Sequence, residues 1–210
     1  MMRKIYSFLG DFYHSHEHIY AAVRQAADSV GEYVCDSKLC DIGQVLDENP
    51  DAIILACENR INPEDETINL WLTPELDEKI TSYVKNGGRI VALHAALASY
   101  PLDSKYVDMI KGYFVSHPPQ HYLVRYKSSD ERMPCDYEVL DEHYVLHVDT
   151  ANTNVFMALS SEYGQGYAGW RHNYGKGKVI AMALTHNKEG LEHPQTIRLI
   201  GEGLAWALRD

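Results

Sequence analysis

Residues 73–96 read TPELDEKITSYVKNGGRIVALHAA, and this stretch decides the fold. Thr73 suits a helix N-cap, because its hydroxyl can accept from an amide of the first turn. Pro74 suits the first helical position, where no amide partner is required. The helix predicted after them stops at Asn86-Gly87-Gly88, since glycine tolerates the left-handed turn that ends helices. Arg89–Leu93 (RIVAL) then has the length and apolar character of a strand covered on both faces. Working outward, residues 52–57 (AIILAC) are a second such run, and residues 4–9 a third, ended by Gly10-Asp11. Between them, Ile19, Ala22, Val23, Ala26, Ala27 and Val30 recur at helical spacing across residues 17–30. Residues 33–35 suit a short strand. Residues 42–46 suit a brief helix, closed by Asn49-Pro50.

Strand, helix and strand alternate in units of about 30 residues, which predicts right-handed crossovers and a parallel sheet. The second half differs. Residues 58–70 are polar and loop-like. Residues 122–126 (YLVRY), 155–159 and 179–184 are strand-like, and residues 168–173 and 179–184 flank Tyr174-Gly175-Lys176-Gly177 as a hairpin would. Pro194–Leu208 reads as a closing helix. The expected architecture is α/β: one three-layer domain over residues 1–210, with a mostly parallel sheet and antiparallel edge strands.

The chain has 210 residues, 45% hydrophobic and 23% charged, an ordinary globular profile. Its 19 Lys+Arg against 30 Asp+Glu give a net charge of −11, which argues against nucleic acid and against an anionic membrane surface as partners. No apolar run approaches the roughly 18 residues of a bilayer span. Residues 1–9 read as a first strand and not as a signal peptide. Cys35, Cys40, Cys57 and Cys135 are irregularly spaced, which fits free thiols in a reducing cytoplasm and not a structural zinc site. No Gly-x-Gly-x-x-Gly follows the first strand, so a phosphate-bearing cofactor is not indicated.

There are 11 histidines. Open α/β sheets bind ligands beyond the carboxyl ends of their strands. His14, His94 and His186 each follow a predicted strand. His94 sits where a tight strand-to-helix turn would hold it, with small Ala95 and Ala96 beside it, as in a nucleophile elbow with His in place of Ser or Cys. Such a residue serves as a general acid or base, or as a metal ligand; the bland alternative is a polar contact closing a strand end. His14, His16 and His18 would share one side of an extended loop, with His14 nearest the strand. Asp141-Glu142 offers carboxylates for acid–base work or a metal, although an acidic pair in a loop is usually just solvated. Cys57, at a strand end, is better read as a small buried hydrophobe.

Five stretches, in order, resemble one family. They are Gly87-Gly88 through His94-Ala95-Ala96, Gly112-Tyr113-Phe114-Val115-Ser116-His117-Pro118, Asp141-Glu142-His143-Tyr144, Trp170 followed by Tyr174-Gly175-Lys176-Gly177-Lys178-Val179, and Leu184-Thr185-His186-Asn187. Together they resemble the trehalose-utilisation (ThuA-like) family. The resemblance implies a flavodoxin-like fold similar to class I glutamine amidotransferases, and a role in carbohydrate metabolism, as conversion of a keto-sugar or oxidised disaccharide. Lys178, Thr185 and Asn187 stand where the family usually has Arg, Gly and Asp. No Pro precedes Trp170, and the family's His-Pro-Ile-Thr segment is reduced to Met133-Pro134-Cys135. His94 stands at the amidotransferase nucleophile position, so thiolate chemistry is not available there.

The resulting expectation is an enzyme acting on a small carbohydrate. His94, Glu142 and His186 are its catalytic candidates. His14, His94 and His186 are candidate ligands of a divalent metal such as zinc, and His117, Tyr144 and Trp170 would contact substrate. The 15 Tyr against 4 Phe suit a surface on which sugars stack, though Tyr is common on any surface. Two alternatives are a non-catalytic small-ligand module, favoured by Thr185 and Asn187, and a homo-oligomer subunit whose surface matters more than its pocket.

Overall fold

The protein is described here by a computed structural model covering residues 2–209. In chain order it runs β1 (Ile5–Leu9), α1 (His16–Ser29), β2 (Cys35–Asp36), α2 (Ile42–Asp47), β3 (Ala52–Ala56), α3 (Pro74–Lys85) and β4 (Arg89–Leu93). It continues with α4 (Lys105–Ile110), β5 (Gly112–Ser116), β6 (Tyr122–Ser128), β7 (Asp136–Asp141), β8 (Val145–Val148) and β9 (Asn154–Ser161). It ends with β10 (Gly164–Tyr174), β11 (Gly177–Met182), α5 (Lys188–Leu191) and α6 (Pro194–Leu208).

The decisive stretch folds as read. Thr73 Oγ1 accepts from the Leu76 amide at 3.3 Å, a cap worth about 1 kcal/mol. Gly87, at φ +122°, turns the chain out of α3, and the Gly88 amide closes that end on the Tyr83 carbonyl at 3.0 Å. A nine-stranded sheet then runs β2-β1-β3-β4-β11-β10-β9-β6-β7. From β2 to β11 neighbours are parallel; from β11 to β7 they are antiparallel. The parallel strands split their side chains by the period of two. Ile54, Val91, Ile180 and Met182 enter a core under α1 and α6, while Ile53, Leu55, Ile90, Val179 and Ala181 enter a core under α2, α3 and α4. Each fully buried Ile or Leu there stabilises the fold by about 1.5–3 kcal/mol.

The antiparallel arm is broader than edge strands alone. β10 and β11 form the predicted hairpin, with Tyr174 opposite Gly177 and Gly175 at φ +60° in the turn. β7 alternates exposed and buried along DYEVLD. Its inward positions are Tyr137, Val139 and a charge, Asp141, which breaks the apolar pattern and hides the strand from a sequence reading. A second, two-stranded sheet pairs β5 with β8. No helix among the described residues is long and apolar enough to cross a membrane.

Candidate functional site

Three parallel strands end at one place. The β1 turn carries Asp11 and His14, β4 runs straight into His94, and β11 leads through Leu184 and Thr185 to His186. The rings of these histidines form a triangle. Their centroids lie 5.2 Å apart for His14–His94, 5.2 Å for His14–His186 and 4.9 Å for His94–His186. One ring nitrogen from each lies within 4.8 Å of the others.

Each ring is oriented from behind. His14 Nδ1 is bound to Asp11 Oδ1 at 2.6 Å, and His94 Nδ1 donates to the Leu184 carbonyl. His186 Nδ1 lies 2.8 Å from Asp141 Oδ1. The Nδ1 hydrogen bonds of His14 and His94 leave Nε2 as the nitrogen with a lone pair to offer, which is how proteins fix histidine ligands for a metal, while His186 Nδ1 stands beside the Asp141 carboxylate without a formed hydrogen bond. His94 Nε2 is buried and has no hydrogen-bond partner. His94 also holds a left-handed backbone, φ +40°, a conformation rare outside glycine that costs of order 1 kcal/mol. Buried Ala95 and Ala96 continue the turn.

The acid comes from the other arm. Asp141, at the end of β7, is fully buried. Its Oδ2 accepts from Thr185 Oγ1, from the His186 amide at 2.9 Å and from the Asn187 amide at 3.3 Å, while Oδ1 accepts from the Glu142 amide at 2.7 Å. Thr185 and Asn187 are therefore parts of the clamp that joins β7 to the end of β11. Glu142 Oε2 lies 3.5 Å from His94 Nε2 and 3.7 Å from His186 Nδ1, and its Oε1 lies 3.5 Å from His117 Nε2. Burial pulls Asp141 and Glu142 towards protonation, but the histidine contacts outweigh it and hold both below the usual carboxylate range. Burial also holds His94 below its usual value, in the neutral form that coordinates metals. At His186 burial is overcome by Asp141 and Glu142, which raise it.

The site opens into a cleft of about 400 Å³. His14, Glu142 and His186 line it together with His117, Tyr144, Phe114, Tyr13, Glu58, Arg60 and Ser99. Tyr144 packs on His94, with ring centroids 4.0 Å apart. Of the substrate-contact candidates, His117 and Tyr144 line the cleft and Trp170 does not. Trp170 has no exposed surface; its indole N–H donates to the Ile110 carbonyl at 2.8 Å and its ring fills the space over Gly112. Around Trp170 the inner strand β10 is buried, Ala168 and Gly169 included, so that side chain faces a core and not the cleft. The extended-loop reading of His14, His16 and His18 is also corrected. α1 begins at His16, capped by Ser15, and His16 turns away to Asp36 at 2.9 Å. Cys57 is fully buried, and burial pushes its thiol well above the ordinary range, so it offers no thiolate.

Sequence reading missed Asp11, Tyr13, Glu58, Arg60 and Ser99. The strand-end rule already pointed to two of them: Asp11 lies two residues past β1 and Glu58 two residues past β3.

The family model ThuA, described as trehalose utilisation, matches residues 13–207. A comparison with curated proteins found no match. Among solved structures, a ThuA-like protein from Parabacteroides merdae superposes with TM-score 0.77 at 14% identity, over 99% of this chain and 90% of that one. A ThuA-like protein from Bacteroides uniformis gives 0.65 at 16% identity, over 98% and 91%. A β-galactosidase from Rahnella sp. R3 gives 0.64 at 13% identity, over 100% of this chain but 32% of that enzyme. At these identities the structures speak for the fold alone, a mixed α/β sheet with a parallel centre. The family model, the five ordered motifs and the fold agree, and the chain belongs to the ThuA family of trehalose-utilisation proteins.

Proposed function

We propose that this protein is an enzyme that carries out acid–base chemistry on an oxidised sugar, a keto-sugar or keto-disaccharide, at a divalent metal of the zinc class held by His14, His94 and His186. The observation that carries the reading is the triangle of three histidine rings, two of them hydrogen-bonded at Nδ1 and the third, His186, with Nδ1 2.8 Å from Asp141 Oδ1, with the buried Nε2 of His94 left without a hydrogen-bond partner. An ion there would act as a Lewis acid on a sugar carbonyl or hydroxyl.

The remaining roles belong to the chain's own residues. Glu142 is ionised at neutral pH and borders both His94 and His186, so it takes up a proton from the substrate and returns it. His117, across Glu142, orients that carboxylate and contacts a substrate oxygen. Tyr144 and Phe114 give the cleft an apolar wall for the C–H face of a ring. Four unpaired cysteines fit work in a reducing cytoplasm.

The test is elemental analysis of the purified protein together with turnover of keto-disaccharides, keto-trehalose first. Stoichiometric zinc that is lost in His94→Ala, with activity lost alongside it, supports the reading. Full activity in His94→Ala overturns it. Sugar binding without turnover favours the non-catalytic module, for which the fold alone speaks.

A further inference from the structure

The cleft has a second polar corner, joined to His14 through Asp11. Glu58 is 2% exposed, yet its two oxygens have opposite fortunes. Oε2 accepts from Arg60 Nε at 3.0 Å, from Arg60 Nη2 at 2.8 Å and from Ser99 Oγ at 2.9 Å. Oε1 is buried with no hydrogen-bond partner. A buried acceptor left unmet costs about 1–3 kcal/mol, more when charged, so Oε1 is an acceptor in want of a donor.

The corner is rigid. The Glu58 amide donates to Asp11 Oδ2 at 2.8 Å, and the Glu58 carbonyl accepts the Trp71 indole N–H at 3.0 Å. Ser99 is held in the left-handed region at φ +66°. Arg60 spends Nε and Nη2 on Glu58, which leaves its Nη1 edge for another acceptor, and its guanidinium sits 5.9 Å from the half-exposed Tyr13 ring.

We infer that Glu58, Arg60 and Ser99, with Tyr13 as a flanking aromatic face, form a specificity subsite for an uncharged hydroxylated ring, the sugar unit that does not react. A hydroxyl donates and accepts at once; here it donates to Glu58 Oε1 and accepts from Arg60 Nη1. At this corner Arg60 is already neutralised by Glu58, so a carboxylate on this sugar unit meets the Glu58 carboxylate with no unpaired cation beside it. This inference rests on the sugar reading of the cleft but does not need the metal.

The experiment titrates the whole protein with methyl α-glucoside and with the matching methyl glucuronide, read by ligand-observed NMR, with zinc content measured on the same samples. The variants are Glu58→Gln and Arg60→Met, with Ser99→Ala in case Glu58→Gln fails to fold. The neutral glucoside binds the wild type, the uronide binds more weakly, and each variant weakens the glucoside by about tenfold or more, the cost of a hydrogen bond to a charged group, with zinc unchanged. Wild-type affinity in the variants, preference for the uronide, or no binding of the glucoside overturns the subsite. Glucoside binding that depends on Glu58 in a protein holding no zinc overturns the metal and supports the subsite.

Discussion

The two arms of the sheet make opposite contributions to one cleft. The parallel arm, covered on both faces, supplies the nitrogen donors from the ends of β1, β4 and β11. The antiparallel arm supplies the acids that face His94 and His186, Asp141 at the end of β7 and Glu142 after it, with Tyr144 just beyond. Strands of the parallel arm stop together, so their ends gather side chains at one edge, Asp11 and Glu58 among the histidines. Asp141 and Glu142 have to be brought over from the far edge of the sheet, and the Asp141 clamp on Thr185, His186 and Asn187 is what brings them. On the proposed reading, metal binding and proton transfer sit on different arms and are separable by mutation.

The largest expected effect tests that separation. His14→Ala should empty the metal site, weakening metal by well over the about 10–100-fold cost of losing a residue that only orients a ligand. Glu142→Gln should leave metal content intact while turnover falls about 10²–10⁴-fold. Equal metal loss in both variants, measured by elemental analysis, would erase the distinction between the arms.

Next comes the clamp. Asp141→Asn removes the charge that accepts from Thr185 and three backbone amides, and should destabilise the protein by about 3 kcal/mol in urea unfolding. It should also weaken metal binding through His186. An unchanged midpoint would mean that the arms hold together without the clamp.

Trp170→Phe leaves the Ile110 carbonyl unmet in the core and should cost about 1–3 kcal/mol of stability, with the turnover of the folded protein unchanged. A loss of turnover at unchanged stability would return Trp170 to the cleft.

The smallest effect compares the dryness of the arms. Cys57 belongs to the parallel arm and Cys135 to the antiparallel one, where burial raises the thiol to about 11. At pH 8 both stay protonated, so a thiol reagent should label exposed Cys40 and spare both until the protein unfolds. Rapid labelling of Cys135 alone would show that the antiparallel arm opens on its own.

The same contrast explains what was legible in the sequence. A strand buried on both faces is a continuous apolar run, so AIILAC and RIVAL announce themselves, and the residues after them are found by counting. β7 carries its inward charge at Asp141, and β5 and β8 lie in a small separate sheet whose strands are short and partly exposed. Neither pattern separates from loop by periodicity. Glu142 reads as one of an acidic pair that is usually just solvated, and its family motif strengthens it, since nothing local shows that the end of β7 meets the end of β11. Trp170 was misplaced because a motif records neighbours in sequence, while burial depends on a strand's place in the sheet. Glu58 stands where the strand-end rule points, but Arg60 lies in a polar loop, where a charged residue carries no signal by itself.

Six residues, His94 to Ser99, join the two polar centres of the cleft. Both ends of the segment hold left-handed backbone, and the four residues between them are buried. Such a segment behaves as a ruler. If the two proposals hold, it sets the reach from the histidine triangle to the Glu58 corner, and hence the length of molecule that touches both at once. Adding or removing one residue between Ala95 and Ala98 would leave each centre its own side chains and change which chain length of sugar spans them.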